Sequence, residues 1–133
     1  MAIQQLLTFL AQLQENNHKA WMDAHRAAYQ QARSTWVAIT DSLIKGMGAL
    51  DEDIARLTPQ SCIFRINRDI RFSKDKAPYK HNMGTYLAKG GRHSGYAGYY
   101  LHIEPHDQSF IGGGLYQPAP ATLKRIRQEI DYN

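Results

Sequence analysis

The spacing of apolar residues changes from a helical to a strand-like period at residues 64–72, which read Phe64-Arg65-Ile66-Asn67-Arg68-Asp69-Ile70-Arg71-Phe72. Through most of this stretch apolar side chains alternate with polar ones, a pattern typical of a β-strand with one buried face. Arg68 falls on the apolar face. We therefore expect it to be buried with a partner, to lie along the surface, or to mark a bulge or the end of the strand.

The residues before this stretch predict helices. Apolar residues three or four apart at positions 3–13 indicate a first helix with one stripe on a core. Asn16-Asn17 interrupts it, and asparagine favours the N-cap of a second helix. That helix either continues through Ser34 or kinks there, and glycines at positions 46 and 48 end it. Residues 51–57 predict one more helical turn, closed by Pro59.

The residues after this stretch predict an antiparallel meander. Short strands are expected at 85–87, 97–103 and 109–111, separated by glycine-rich or proline-containing turns, and three glycines at 112–114 end the last strand. Pro118 and Pro120 introduce a final helix with Leu123, Ile126 and Ile130 on one side. The order of elements predicts an α+β fold, with N-terminal helices packed on an antiparallel sheet and a C-terminal helix. A chain of 133 residues is expected to form a single domain, 1–133.

The positive charge of the chain is concentrated in one segment. Hydrophobic residues make up 43% and charged residues 21%, which excludes a disordered or fibrous protein. The formal net charge is +4. Residues 65–80 hold six basic and two acidic residues, whereas ten basic and ten acidic residues balance elsewhere. This focused positive field predicts an anionic partner, and a small molecule fits it best.

The residue types in this segment predict an anion site. Arginine offers a planar fork that matches phosphate or carboxylate oxygens, lysine adds mobile positive charge, and turn amides and hydroxyls add donors. The preferred interpretation is binding of a phosphate- or carboxylate-bearing ligand. The predicted ligand-binding residues are Arg65, Asn67, Arg68, Arg71, Ser73, Lys74, Lys76, Tyr79 and Lys80.

Two other functions stay open. The protein could be an enzyme acting on a phosphorylated or acyl substrate, with Asp69 or His81 as the acid–base group and the cations stabilising developing charge. Alternatively, the arginines and aspartates could form a purely structural cluster that binds no ligand.

The sequence predicts no cofactor and no metal site. His102, Glu104 and His106 would share a strand face, but Pro105 indicates that the strand is ending, and no H-E-x-x-H pairing occurs. The glycines fit neither a P-loop nor a dinucleotide-binding turn. Tyrosines beside the basic segment could stack on single-stranded nucleic acid. Without an RNP motif, a helix-turn-helix pattern or a zinc finger, nucleic acid is the weaker alternative, which the sequence leaves open.

The remaining features predict a cytoplasmic protein with no membrane association. No apolar run approaches the ~18 residues of a membrane span, and the N-terminus lacks the pattern of a signal peptide. The single cysteine, Cys62, cannot form an internal disulfide, which is typical of a reducing compartment. The sequence makes no prediction of oligomeric state.

The basic segment also carries a resemblance to a known family. Its signature, RINRDIRFSKDKxPYK, is accompanied by weaker matches at Asn16-Asn17, Trp21, Tyr29, residues 99–103 and the triple glycine. Together they resemble a family of bacterial and fungal proteins known only as a conserved domain of unknown function. Members are generally longer, so the resemblance implies that this chain is a truncated form or a fragment. No activity, substrate or catalytic residue is implied.

Overall fold

The computed structural model describes residues 2–115 and 120–132 and has the predicted α+β arrangement. N-terminal helices are followed by a three-stranded antiparallel sheet and a C-terminal helix. The elements are α1 (Ala2–Glu15), α2 (Lys19–Ala24), α3 (Arg26–Gly48), α4 (Glu52–Ala55), α5 (Pro59–Cys62), β1 (Met83–Ala88), β2 (Gly98–Ile103), β3 (Phe110–Gly114) and α6 (Pro120–Tyr132). No helix within the described ranges is long and apolar enough to cross a bilayer.

Helices α1 and α3 pack against each other and form most of the helical layer. The apolar stripe of α1 is buried, which confirms the first predicted helix. Helix α3 runs through Ser34 without a break, and the interruption falls at His25 instead. The N-cap prediction at Asn16-Asn17 is wrong, because the ring of His18 accepts the Trp21 N–H and caps α2. Pro59 begins α5 rather than only closing α4.

The sheet has the order β1-β2-β3, so β2 lies at its centre. Thr85 pairs with Leu101, and Tyr100 lies between Tyr86 on β1 and Gly112 on β3. Successive side chains point to opposite faces, so Leu101 and Ile103 pack on the helical core while Tyr100 lies on the far face. The three predicted strands are confirmed, although the triple glycine belongs to β3 instead of ending it.

The strand predicted at 64–72 is wrong. The described structure has one isolated bridge within this stretch, between Asn67 and Tyr79, and another just before it, between Ile63 and Thr85. The main chain instead doubles back on itself: Lys80 N–H donates to Ile66 O at 2.8 Å, and Arg68 N–H donates to Pro78 O at 2.9 Å. These bonds join residues 66 and 68 to residues 80 and 78, so residues 69–77 form a loop beyond them.

The C-terminal helix is present as predicted, from Pro120 to Tyr132. Its apolar side chains are covered to different extents. Leu123 and Ile126 are half-buried, whereas Ile130 is 71% exposed. The predicted contribution of Pro118 lies outside the described residues.

Candidate functional site

The basic segment, residues 65–80, is held to the helices at its two ends. Ile66 and Tyr79 are buried in the main hydrophobic core. Asn17, in the linker between α1 and α2, donates to Tyr79 O at 2.8 Å and accepts the Tyr79 N–H at 3.1 Å. These two hydrogen bonds join residues far apart in the chain and fix the position of the neighbouring Lys80.

The outermost arginine of the segment is paired with a carboxylate. Arg71 Nε and Nη2 donate to the two oxygens of Asp69 at 3.0 and 2.9 Å. These bonds lower the pKa of Asp69 below its ordinary value and raise the pKa of Arg71. Asp69 therefore stays ionised and accepts protons weakly. Both side chains are exposed, as is the neighbouring Phe72, which is 94% exposed at the tip of the loop.

Arg68 organises the loop from inside. Its Nη1 donates to Ala77 O at 2.8 Å, and its Nη2 donates to Ser73 Oγ at 3.4 Å. The carboxylate of Asp75 lies 3.5 Å from the same guanidinium. Lys76 Nζ donates to Ile70 O at 2.8 Å. These cations satisfy the loop's own acceptors, so they stabilise its shape.

Arg65 and Lys80, at the two ends of the segment, line a cavity of about 270 Å³ on the far face of the sheet. Among the described side chains, no carboxylate lies within ion-pair distance of either cation. Burial lowers the pKa of Lys80, and repulsion from Arg65 lowers it further. Among the described residues, Lys80 Nζ has one hydrogen-bond acceptor, Arg65 O at 2.8 Å, so protons of the ammonium remain for another acceptor.

The other wall of this cavity carries a chain of hydrogen bonds. Tyr100 Oη lies 2.8 Å from Nδ1 of His102, and Nε2 of His102 lies 2.9 Å from Oε1 of Glu104. The side chains of His102 and Glu104 are only 12% and 20% exposed. Asn82 and Gly84 complete the lining. Polar groups from three parts of the chain thus meet two cations that no described carboxylate neutralises.

The structure therefore separates the predicted ligand-binding residues. Arg65 and Lys80 line the cavity, whereas Arg68, Arg71, Ser73 and Lys76 take part in loop contacts. Lys74 and Asn67 are exposed, and Tyr79 is buried in the core. Of the two acid–base candidates, Asp69 accepts hydrogen bonds from Arg71 on its carboxylate. His81 Nε2 lies 3.8 Å from Glu104 Oε2.

The sequence did not identify several residues that line this cavity or, like Glu104, hydrogen-bond to its lining. Asn82 and Tyr100 were not singled out, and His102 and Glu104 were considered only as metal ligands. The signal was the Tyr-x-His-x-Glu spacing at residues 100–104, which places three polar side chains on one strand face. In the described ranges, no group of three or more His, Cys, Asp or Glu residues is placed to hold a metal ion.

The fold and the cavity define an α+β domain with a cationic pocket on the far face of an antiparallel sheet. The chain belongs to the family described as conserved hypothetical protein DUF2461, whose model matches residues 5–133. The resemblance noted in the sequence is thereby confirmed. No curated protein and no solved structure matches the chain.

Proposed function

We propose that this protein binds a small phosphate- or carboxylate-bearing ligand between Arg65 and Lys80. The observation that carries the proposal is the placement of two mutually repelling cations, neither paired with a described carboxylate, at the wall of one cavity. A bound anion would relieve the repulsion and accept charge-assisted hydrogen bonds from both side chains. The cavity volume, about 270 Å³, favours a small ligand.

The rest of the cavity supports recognition of an anion. Asn82 adds an amide at the wall, and its NH₂ group can donate hydrogen bonds to an anion. Phe64 lies beneath Lys80, whose Nζ is 5.8 Å from the ring centroid. This ring limits the access of water to the ammonium and strengthens its interaction with a bound anion.

The structural interpretation remains a second proposal for the loop at residues 68–77. It is favoured by the Arg71–Asp69 pair and by the bonds that Arg68 makes to its own loop. The cytoplasmic location stays a prediction from the sequence, and it would expose the cavity to small phosphorylated and carboxylated metabolites.

Inorganic phosphate, titrated into the protein and followed by two-dimensional NMR, tests the proposed function. We expect saturable shifts at the cavity residues. Arg65→Gln and Lys80→Met should each weaken binding about 10-fold or more, because a hydrogen bond to a charged group contributes about 1.5–3 kcal/mol. Lys74→Gln is the matched control, since it removes one charge from an exposed position outside the cavity lining. We expect it to change the affinity less than 2-fold.

The proposal fails if phosphate produces no saturable shifts, or if Lys74→Gln weakens binding as much as the two cavity variants do. Thermal unfolding of each variant identifies effects on the fold, because Lys80 also donates to the main chain. Arg65→Gln keeps that bond intact and so gives the cleaner comparison.

The affinity for sulfate should fall as the pH rises through the pKa of Lys80. Only the protonated ammonium attracts the anion, and this pKa lies below the ordinary value of 10.5. The loss of affinity therefore begins at a lower pH than for an ordinary lysine. Binding should in turn raise the pKa of Lys80 and take up protons. Sulfate keeps its charge over this range, so isothermal titration at several pH values reports on the protein. Lys80→Met should flatten the profile, and an equally steep profile in this variant would contradict the assignment.

A further inference from the structure

The hydrogen-bonded chain Tyr100–His102–Glu104 has a defined direction. An ionised carboxylate only accepts hydrogen bonds, so Glu104 accepts the proton on Nε2 of His102. In the neutral imidazole, Nδ1 is then the acceptor, and the Tyr100 hydroxyl donates to it. The phenolic proton is therefore aimed at a base whose other nitrogen is already held by a carboxylate. Enzymes use the same arrangement when a histidine, oriented by a carboxylate, takes the proton of a hydroxyl group that acts as nucleophile or base.

Contacts on the same face of the sheet hold the hydrogen-bonded residues His102 and Glu104 in place. The ring of Phe110 stacks on His102, with centroids 4.7 Å apart and planes inclined by 20°. Ser109 fixes the main chain of Glu104 from both sides: its Oγ accepts the Glu104 N–H at 2.9 Å and donates to Glu104 O at 3.0 Å. A rigid imidazole between two fixed partners is preorganised for proton transfer.

Gly84 leaves the space that the Tyr100 hydroxyl occupies. A Cβ at position 84 would lie 2.8 Å from Tyr100 Oη, which is closer than a Cβ approaches an atom that is not bonded to it. The cavity that Arg65 and Lys80 line is also lined by Gly84, Tyr100 and His102. The Tyr100 end of the hydrogen-bonded series therefore lies beside the proposed anion site.

We propose that Tyr100 is a catalytic residue and that Tyr100–His102–Glu104 relays a proton to and from a phosphate- or carboxylate-bearing substrate bound by Arg65 and Lys80. The inference rests on the proposed function for its substrate class. It assigns the protein to reactions that begin with removal of a C–H or O–H proton near the anionic group.

The proton balance of this step is complete within the site. The substrate C–H or O–H bond breaks, its electron pair stays on the substrate, and the proton bonds to Tyr100 Oη. The phenolic proton passes to Nδ1 of His102, which becomes an imidazolium held by Glu104. The titratable groups facing the relay are Arg65, Lys80 and His81, and the cations Arg65 and Lys80 stabilise the negative charge left on the substrate.

Labelling with 4-(fluorosulfonyl)benzoate tests the relay. The carboxylate of this reagent can occupy the anion site while the phenol oxygen of Tyr100 attacks its sulfonyl sulfur. The Tyr100 O–S bond forms, fluoride leaves, and the phenolic proton passes to His102. Mass spectrometry should find Tyr100 labelled at least about 10-fold faster than Tyr96, a tyrosine that is 55% exposed and serves as the internal reference. Tyr100→Phe should abolish labelling at this position.

Variants separate the relay from a structural role. His102→Gln should slow labelling about 100-fold, the lower end of the range for a positioned acid–base group. Glu104→Gln should slow it less and should also change the ¹⁵N shifts of the His102 ring, since Glu104 sets the tautomer. A slowing without a change in those shifts would overturn its role as a positioning residue. Thermal unfolding identifies variants that lose the fold.

Competition with inorganic phosphate distinguishes the failure of this inference from that of the proposed function. Fast labelling of Tyr100 that phosphate suppresses supports both proposals. Fast labelling that phosphate leaves unchanged contradicts the anion site and keeps the relay. Saturable phosphate binding with Tyr100 labelled no faster than Tyr96, or with no effect of His102→Gln, overturns the relay and keeps the anion site.

Discussion

Replacing Trp36 with alanine should lower the free energy of unfolding by about 4 kcal/mol, the middle of the range for removing a large aromatic side chain from a core. Trp36 is the largest fully buried side chain and lies in α3, the helix that packs on α1. Its indole Nε1–H donates to Gly84 O at 3.3 Å, and the same oxygen accepts the Phe64 N–H at 3.1 Å. The substitution therefore leaves a cavity in the core. It also removes one of the two hydrogen bonds that Gly84 O accepts, and Gly84 lines the proposed site.

Urea unfolding at 25 °C measures this effect. Trp36→Phe is the matched control, because it keeps an aromatic ring in the core and removes the N–H donor. It should lower the free energy of unfolding clearly less than the alanine variant does. A decrease below about 1 kcal/mol for the alanine variant would show that this part of the core is not packed as described. Because Gly84 lines the cavity, we also expect the alanine variant to bind phosphate more weakly.

Replacing Gly98 with alanine should destabilise the protein by about 3 kcal/mol, the upper end of the usual range for overpacking. A Cβ at this position would lie 2.3 Å from Leu87 O and 2.7 Å from the Cβ of Ala88. The obstructing atoms include backbone of β1, a strand that is buried along its whole length, so they cannot move aside. Pairing between β1 and β2 must therefore open at this end or shift.

Gly112→Ala is the control for this prediction. Gly112 lies on β3 opposite Tyr100, and a Cβ there would meet no atom of the described residues within 4 Å. We expect its stability to stay within about 0.5 kcal/mol of the parent, or to rise slightly as the unfolded chain loses freedom. Equal thermal unfolding of the two alanine variants would contradict the close approach of β1 and β2 at Gly98.

The two variants address different connections of the candidate site. Trp36 joins the helical layer to β1 behind the cavity, whereas Gly98 permits the pairing that brings Tyr100 beside it. Neither residue lines the cavity itself. If the variants at Trp36 and Gly98 act only through global stability, each should lose phosphate binding in proportion to its unfolded fraction. A larger loss would indicate a local distortion of the site.

The prediction at residues 64–72 failed because it treated alternation as sufficient for a strand. Arg68, which breaks the alternation, was the signal: its guanidinium binds Ala77 O and closes the loop. Charge counting succeeded in locating the positive segment but could not separate its members. From the sequence, Asp69 could pair with either Arg71 or Arg65, because each arginine lies within four residues of it. The structure shows that it pairs with Arg71.

Four properties could be predicted from the sequence alone: the class of fold, the apolar stripe of α1, the positions of the three strands and the location of the excess charge. These properties follow from local spacing and composition, which act over a few residues. The pairing of the cations depends on tertiary contacts, which leave Arg65 and Lys80 without a described carboxylate and place Tyr100 and His102 beside them. Lys80 meets Arg65 because the segment doubles back, and Tyr100 and His102 join them because β2 pairs with β1. Such juxtapositions come from contacts between distant residues, and no period in the sequence encodes them.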